Sequence, residues 1–199
     1  MEIEIKTALI GVGATIAGTI LGWMLNVISN FGKLNIYISS WKDEFTKHDI
    51  GKDVPAKNKD EVEHYGYKCM LDIYNSSAET KIMRNTRVVF LNGKTELKKF
   101  IPLDDSTQIK NNLFYAVSYD NLGVLNIPAK SVVSISFHNW IWYNDTKGAT
   151  LDFLWNAKSI YIKYEDEKNK TKKVKVKDIN FNDFFNEVQT TEDTTYGQT

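Results

Sequence analysis

Cysteine is nearly absent from this chain, in which Cys69 is the only one. One cysteine excludes an intrachain disulfide, and its place in an alternating run indicates a small buried apolar residue. The three histidines, His48, His64 and His138, form no zinc-ligand spacing such as C-x-x-C or H-E-x-x-H. No metal ion or other cofactor is therefore expected.

An excess of charge is also lacking, because Lys and Arg together number 25 and Asp and Glu together number 25. Arginine is scarce, and Arg84 and Arg87 are the only two. The first 32 residues hold few charges, so the rest of the chain is close to neutral as well. A nucleic-acid-binding surface needs a surplus of basic residues on one face. The composition therefore predicts no nucleic-acid partner.

Catalytic motifs are missing too: the chain has no G-x-S-x-G elbow, P-loop or dinucleotide fingerprint. Acidic clusters such as Asp104-Asp105 and Glu165-Asp166-Glu167 fall in predicted loops or turns, where solvated charge is the ordinary role. His138 follows Phe137 in an alternating strand and is interpreted as a structural, hydrogen-bonded histidine. We assign no catalytic residue and expect a non-catalytic protein. An enzyme whose site is assembled from scattered residues is the weaker alternative.

The chain does contain a long run without charge, from Ala8 to Ile28. As a helix this run would be about 31 Å long, close to the hydrocarbon thickness of a bilayer. Lys6 and Lys33 are the nearest charges on either side. The sequence therefore predicts a transmembrane helix over residues 7–32, after an N-terminal tail of residues 1–6, in a single-pass protein of the cell membrane.

Two alternatives compete with a membrane span. A buried core helix would need the rest of the chain to wrap it completely, because no side of the run is charged. A cleaved signal peptide should begin with basic residues and end with small ones. Here Glu2 and Glu4 outnumber Lys6, and the bulky Phe31 follows the run. The pattern favours the span over both alternatives.

Small residues define one face of this predicted helix. Gly11, Ala14, Gly18 and Gly22 recur every three or four positions, and Asn26 lies beside them. In lipid, small residues let two helix backbones approach closely, and a polar side chain adds a hydrogen bond across the contact. The face predicts helix association, either in a homodimer or with another membrane protein.

Lysine is unevenly distributed around the predicted span. The N-terminal side offers Lys6, whereas the C-terminal side offers Lys33, Lys42, Lys47 and Lys52. Lysine and arginine near a span concentrate on its cytoplasmic side. The sequence therefore predicts that the domain after the span faces the cytoplasm.

The remainder of the chain alternates with a period of two, which is typical of β-strands. One run places alternate residues on a single face: Tyr65, Tyr67, Cys69, Leu71 and Ile73. Asn92-Gly93 is a strong hairpin signal, and a charged turn near Asn169 indicates a second hairpin. Roughly seven to nine strands separated by turn signals predict an antiparallel, immunoglobulin-like β-sandwich over residues 33–188. The polar residues 189–199 are predicted to be a disordered tail.

Three segments of this domain do not show the strand pattern. The charged stretch from Asp43 to Glu63 is interpreted as a long loop, and a short helix is predicted near residues 105–113. A C-terminal helix is predicted because four apolar residues share one face: Phe181, Phe184, Phe185 and Val188. This ridge either closes one end of the sandwich or forms a docking surface for a partner or the membrane interface.

Aromatic residues crowd into the stretch FHNWIWYND, where Trp140, Trp142 and Tyr143 fall within four positions. In a strand, Trp140 and Trp142 would face one way and Tyr143 the other. They are either large core residues or a candidate binding patch for a sugar, a peptide or a bilayer interface.

A resemblance rests on an N-terminal span followed by Gly-Lys-Leu-Asn-Ile-Tyr at residues 32–37 and by two further segments. These are Ile-Tyr-Asn-Ser-Ser at 73–77 and Ile-Pro-Ala-Lys-Ser at 127–131. The chain resembles bacterial single-span membrane proteins that carry a small immunoglobulin-like β-sandwich. The resemblance implies an architecture and little chemistry. The expected function is a membrane-anchored, non-catalytic interaction or binding module, with a structural subunit of a membrane assembly as the alternative.

Overall fold

The computed structural model describes residues 2–30, 32–111, 116–142, 151–181 and 183–185. It begins with the helix α1, Glu2–Asn30, which starts within the predicted N-terminal tail. The segment Ile10–Ile28 is long and apolar enough to cross a membrane by length and composition, and none of it is buried by the rest of the protein. The buried-core-helix alternative is therefore wrong.

Strands make up most of the chain after α1. Within the described residues they are β1 Leu34–Asp49, β2 Lys52–Pro55, β3 His64–Asn75, β4 Lys81–Asn92, β5 Thr95–Phe100, β6 Leu103–Asp104, β7 Ile109–Asn111, β8 Ala116–Ser118, β9 Leu125–Ile127, β10 Val132–Trp142, β11 Ser159–Glu165 and β12 Thr171–Asp178. A helix, α2 Asp152–Asn156, precedes β11, and residues 181 and 183–185 are also helical.

Two antiparallel sheets form the domain. The first has the strand order β2-β1-β3-β10-β6, and the second has the order β12-β11-β4-β5, with β9 paired to the start of β4. β7 and β8 form a separate small hairpin. The mainly β, antiparallel sandwich predicted from the sequence is confirmed.

The core lies between the inner faces of the two sheets. Tyr65, Tyr67, Cys69, Leu71 and Ile73 are all buried on β3, as their alternation predicted. The second sheet contributes buried residues from its central strands: Met83, Val88, Phe90, Ile160 and Ile162. Burying a large apolar side chain stabilises the folded state by about 1.5–3 kcal/mol, so the period-two pattern determines which face of each strand turns inward.

Both predicted hairpins are confirmed. β4 and β5 join at Asn92-Gly93, where Gly93 has φ +61° and Asn92 is paired with Thr95. β11 and β12 join through residues 166–170, where Asn169 has φ +57°. Glycine and asparagine tolerate this left-handed backbone better than other residues, which is why they signal tight turns.

The long loop predicted from Asp43 to Glu63 is wrong. β1 continues through this segment to Asp49 and pairs with β2, and a 3-10 turn, Lys59–Glu61, comes after β2. Phe45 is buried while its charged neighbours lie on the more exposed positions of the strand. An edge region of a sheet tolerates lysines and carboxylates. Because these charged residues replace apolar ones along the strand, the sequence shows no clear alternation of apolar and polar residues here.

The short helix predicted near residues 105–113 is also largely wrong. One 3-10 turn, Asp105–Thr107, is present, and the Asp104 side chain caps it by accepting a hydrogen bond from the Ser106 N–H at 2.9 Å. The chain then enters β7, where Ile109 is exposed. Helices this short are held by packing of an apolar face, and the apolar residue of the described part of this segment, Ile109, is not packed against the core.

Candidate functional site

Two tryptophans project from the outer face of the first sheet. Trp140 is 39% exposed and Trp142 is 42% exposed, whereas Ile141 between them is buried. The alternation of β10 therefore places the tryptophans outside the core, so the core alternative is wrong for both. Tyr143, the third member of the predicted patch, lies outside the described residues.

The strand next to β10 shapes this surface. Gly66 on β3 is paired with Trp140, and a Cβ atom at Gly66 would lie 2.7 Å from two carbons of the indole ring. Glycine is thus required for the ring to lie over the sheet at this position. The ring of Trp142 packs against that of His64, with a centroid distance of 3.9 Å.

A polar cluster lies beside Trp140, in a cavity of about 340 Å³ that also includes Glu44 and Tyr119. Asp105 accepts hydrogen bonds from Ser136 and from the Nδ1 side of the His138 ring. The Lys68 Nζ lies 3.5 Å from an Asp105 carboxylate oxygen. Aromatic rings and charged groups therefore face the same opening.

The charge state of Asp105 depends on these neighbours. Partial burial raises its pKa, but hydrogen bonds from Ser136 and His138 and the charge of Lys68 outweigh that effect, so the pKa lies below its ordinary value. The carboxylate is ionised at neutral pH. Its favourable contribution to stability is present above the ordinary aspartate pKa and is lost as pH falls through the lowered value.

The Ser136, His138 and Asp105 side chains do not form a nucleophilic triad. In such a triad the hydroxyl donates its proton to the imidazole, and the carboxylate orients the imidazole from the other side. Here the Ser136 hydroxyl donates to Asp105 instead. The arrangement holds the carboxylate in place beside Trp140.

The sequence did not predict that Asp105 is hydrogen-bonded to Ser136 and His138. Two neighbouring acidic residues in a predicted loop are ordinarily exposed to solvent. The available signal was weak: Ser136 and His138 are two residues apart and so share one face of a strand. Their carboxylate partner comes from the 3-10 turn after β6, which pairs with β10. Only that pairing brings the groups together.

The predicted C-terminal ridge packs at the end of the sandwich distant from α1. Phe181 and Phe185 are buried, with ring centroids 5.1 and 5.4 Å from that of Phe45. Phe184 is 38% exposed, although its ring also lies 4.8 Å from Phe45. The core covers Phe181 and Phe185, which makes them unavailable for docking. Val188 lies outside the described residues.

The small-residue face of α1 is exposed. A Cβ atom at Gly11, Gly18 or Gly22 would meet no atom within 4 Å beyond the backbone of α1 itself, and Ala14 and Asn26 are not buried. The domain therefore does not occupy this face. Helix association through it stays a prediction, for which a membrane two-hybrid assay is the measurement.

Metal-binding groups do not cluster in the described part of the chain: no three His, Cys, Asp or Glu side chains there could hold an ion. Cys69 is fully buried in β3. Burial raises the pKa of its thiol to about 12. The thiol is therefore protonated at neutral pH and shielded from reagents.

The segments on which the resemblance rests meet where α1 joins the sandwich. Asn75 is fully buried there, and its side-chain amide nitrogen lies 2.7 Å from the carbonyl oxygen of Glu79 and 3.0 Å from those of Ile127 and Pro128. Its carbonyl oxygen accepts from the N–H and the hydroxyl of Ser77. One asparagine thus ties the end of β3 to the loops after β9 and before β4.

These features define an immunoglobulin-like antiparallel β-sandwich that follows an N-terminal apolar helix. The chain belongs to the YopI Ig-like domain family, whose model matches residues 32–177. The immunoglobulin-like part of the resemblance is therefore confirmed.

A relative and two solved structures are similar to this chain. The SPbeta prophage-derived uncharacterized protein YopI of Bacillus subtilis is 22% identical over 173 residues, which cover 86% of this chain and 94% of the relative. The putative ApaA protein of Bordetella pertussis is 8% identical with a TM-score of 0.35, covering 74% of this chain and 91% of its own. An uncharacterized β-sandwich protein of Clostridium difficile is 13% identical with a TM-score of 0.30. The match covers 73% of this chain and 86% of that protein.

Proposed function

We propose that this protein is a membrane-anchored, non-catalytic binding module. The observation that carries the proposal is the apolar segment Ile10–Ile28, none of which the domain buries. A continuous apolar surface of this size is unfavourable in water. A bilayer accommodates it, because the helix satisfies its own backbone hydrogen bonds and its length matches the hydrocarbon core. The lysine distribution around the span supports a domain that faces the cytoplasm.

Anchoring predicts that the full-length protein stays in the membrane fraction after an alkaline carbonate wash. Replacing Ile16 and Ile20 by lysine should release it, because a charge at the centre of a span costs about 2.5–3.5 kcal/mol on insertion scales. Ile16→Lys alone is compared with the control Ile50→Lys, which adds the same charge at a residue that is 95% exposed in the turn between β1 and β2. The measurements are immunoblots of the washed membranes and mass spectrometry of the intact protein.

Two results would contradict anchoring by α1. One is release of the parent protein by the wash. The other is an intact mass that lacks the N-terminal segment, which would show a cleaved signal peptide. A reporter fused to the C-terminus tests orientation, and activity outside the cytoplasm would overturn the cytoplasmic placement.

The binding face in this proposal is the outer surface around Trp140 and Trp142. Exposed aromatic rings beside charged groups suit ligands that combine an apolar face with hydrogen-bonding edges, such as sugars or peptides. Asp105 and Lys68 supply the charged acceptor and donor next to Trp140. The adjacent cavity gives the surface enough depth to enclose part of a ligand.

We expect Trp140→Ala to weaken binding of any sugar or peptide ligand at least about tenfold, as loss of a central aromatic anchor does. The purified chain is screened on arrays of oligosaccharides and of peptides, and the affinities of hits are then measured. Tyr37→Ala is the matched control, because Tyr37 is exposed on β1 in the same sheet. A ligand that binds Trp140→Ala as tightly as the parent would exclude this face.

A further inference from the structure

A basic groove lies at the end of the sandwich where α1 enters it. The groove has a volume of about 360 Å³ and is formed by Gly32 and the start of β1, the start of β4, and the turn between β11 and β12. Five lysines and two carboxylates line it: Lys33, Lys81, Lys168, Lys170, Lys172, Asp166 and Glu167. These lysines come from three distant parts of the chain, so only folding gathers them.

The positive charge of the groove is not fully neutralised. Lys81 pairs with Glu167 at 2.8 Å, and Lys172 lies 3.8 Å from Asp166. Asp166 also accepts hydrogen bonds from the backbone N–H groups of Lys168 and Lys170, at 3.0 and 2.9 Å. Within the described ranges the side chains of Lys33, Lys168 and Lys170 form no ion pair. Their charges face an opening that suits an anion.

The groove is held close to the end of α1. A Cβ atom at Gly32 would overlap the backbone of Ser76 and Ser77, so the chain passes tightly against the end of β3 at this point. The Lys33 N–H donates to the Ser76 hydroxyl at 2.9 Å, and the Ser76 N–H donates to the Lys33 carbonyl at 3.1 Å. The connection between helix and domain is therefore short and hydrogen-bonded.

We propose that this groove binds the phosphate-containing headgroups of anionic phospholipids in the membrane that α1 spans, an inference that rests on the proposed anchoring. The polar headgroup layer begins where a span leaves the hydrocarbon core, and Gly32 lies two residues after the end of α1. Lysines in such a place are attracted to anionic lipids of the cytoplasmic leaflet. The groove thus docks the domain against the bilayer and limits its orientation.

The test uses the full chain reconstituted in phosphatidylcholine vesicles with or without phosphatidylglycerol. A fluorophore is attached at Ala78→Cys, an exposed loop position at the same end of the domain, and Cys69 does not compete because it is fully buried. Quenching by a nitroxide-headgroup lipid reports contact with the bilayer. We expect quenching to rise about twofold with phosphatidylglycerol and to fall again at high salt.

Two charge-matched variants make the outcome specific. Lys168→Glu with Lys170→Glu should lose most of the phosphatidylglycerol-dependent quenching. Lys52→Glu with Lys94→Glu changes the net charge equally at exposed positions outside the groove, at the start of β2 and in the turn after β4, and should retain it. Equal quenching in both lipid compositions, or an equal loss in both variants, would overturn the proposal. So would binding of inorganic phosphate by the chain without vesicles, together with equal quenching in both lipid compositions, because that result would identify free phosphate as the ligand.

Flotation of the vesicles separates this inference from the proposed anchoring. If the chain fails to float with vesicles of either composition, α1 does not insert and both proposals fail. If it floats with both while quenching is independent of phosphatidylglycerol, anchoring stands and the groove does not bind anionic headgroups.

Discussion

Asn75→Ala is expected to destabilise the domain by at least about 3 kcal/mol, because each buried polar group left without a partner costs about 1–3 kcal/mol. The side chain is fully buried and joins Ser77, Glu79 and the loop after β9. Alanine removes the amide and leaves the Ser77 N–H without its acceptor. Urea unfolding of the detergent-solubilised chain, followed by near-ultraviolet circular dichroism, measures the change.

Asn126→Ala is the matched control, because Asn126 is exposed on β9 and its replacement should change stability by less than about 0.5 kcal/mol. Asn75→Asp is informative as well. It keeps the acceptor for Ser77 but places a carboxylate oxygen toward the carbonyls of Ile127 and Pro128, so it should not rescue stability. If Asn75→Ala unfolds at the same urea concentration as the control, this asparagine does not hold the loops together.

Phe181→Ala is expected to lower the free energy of unfolding by about 3–5 kcal/mol, the usual cost of truncating a buried phenylalanine. The ring packs edge-on against Phe45 at 5.1 Å and lies 5.6 Å from Tyr65. Lys177 places its Nζ 5.7 Å from the ring centroid. The loss combines a cavity between these rings with the missing apolar burial.

Phe184→Ala provides the comparison within the same helical segment. Phe184 is 38% exposed, so its truncation should cost less than half as much as that of Phe181. Denaturant unfolding of the two variants side by side is the measurement. Equal and small effects would show that this segment is not part of the folded core.

The fold class was predictable from the sequence because it depends on local, repeated signals. Alternation from Tyr65 to Ile73 identified a buried strand face, and Asn92-Gly93 identified a hairpin, since each pattern reflects the geometry of a few neighbouring residues. Alternation failed from Asp43 to Asp49, because charged side chains lie on both faces of β1: Asp43 is on the core-facing side with Phe45, and Glu44 is on the other. Composition alone does not separate such a strand from a solvated loop.

The sequence by itself determined the uncharged run before the domain and the antiparallel sandwich after it, because both depend on hydrophobic pattern along the chain. Only the tertiary structure decided which large residues face outward: Trp140 lies over Gly66 on the surface, whereas Phe181 packs into the core. It also decided that Asp105 meets His138 and that Lys33 shares a groove with Lys168 and Lys170. These contacts join residues far apart in the chain. Strand pairing decides which residues meet, and local sequence patterns do not predict that pairing.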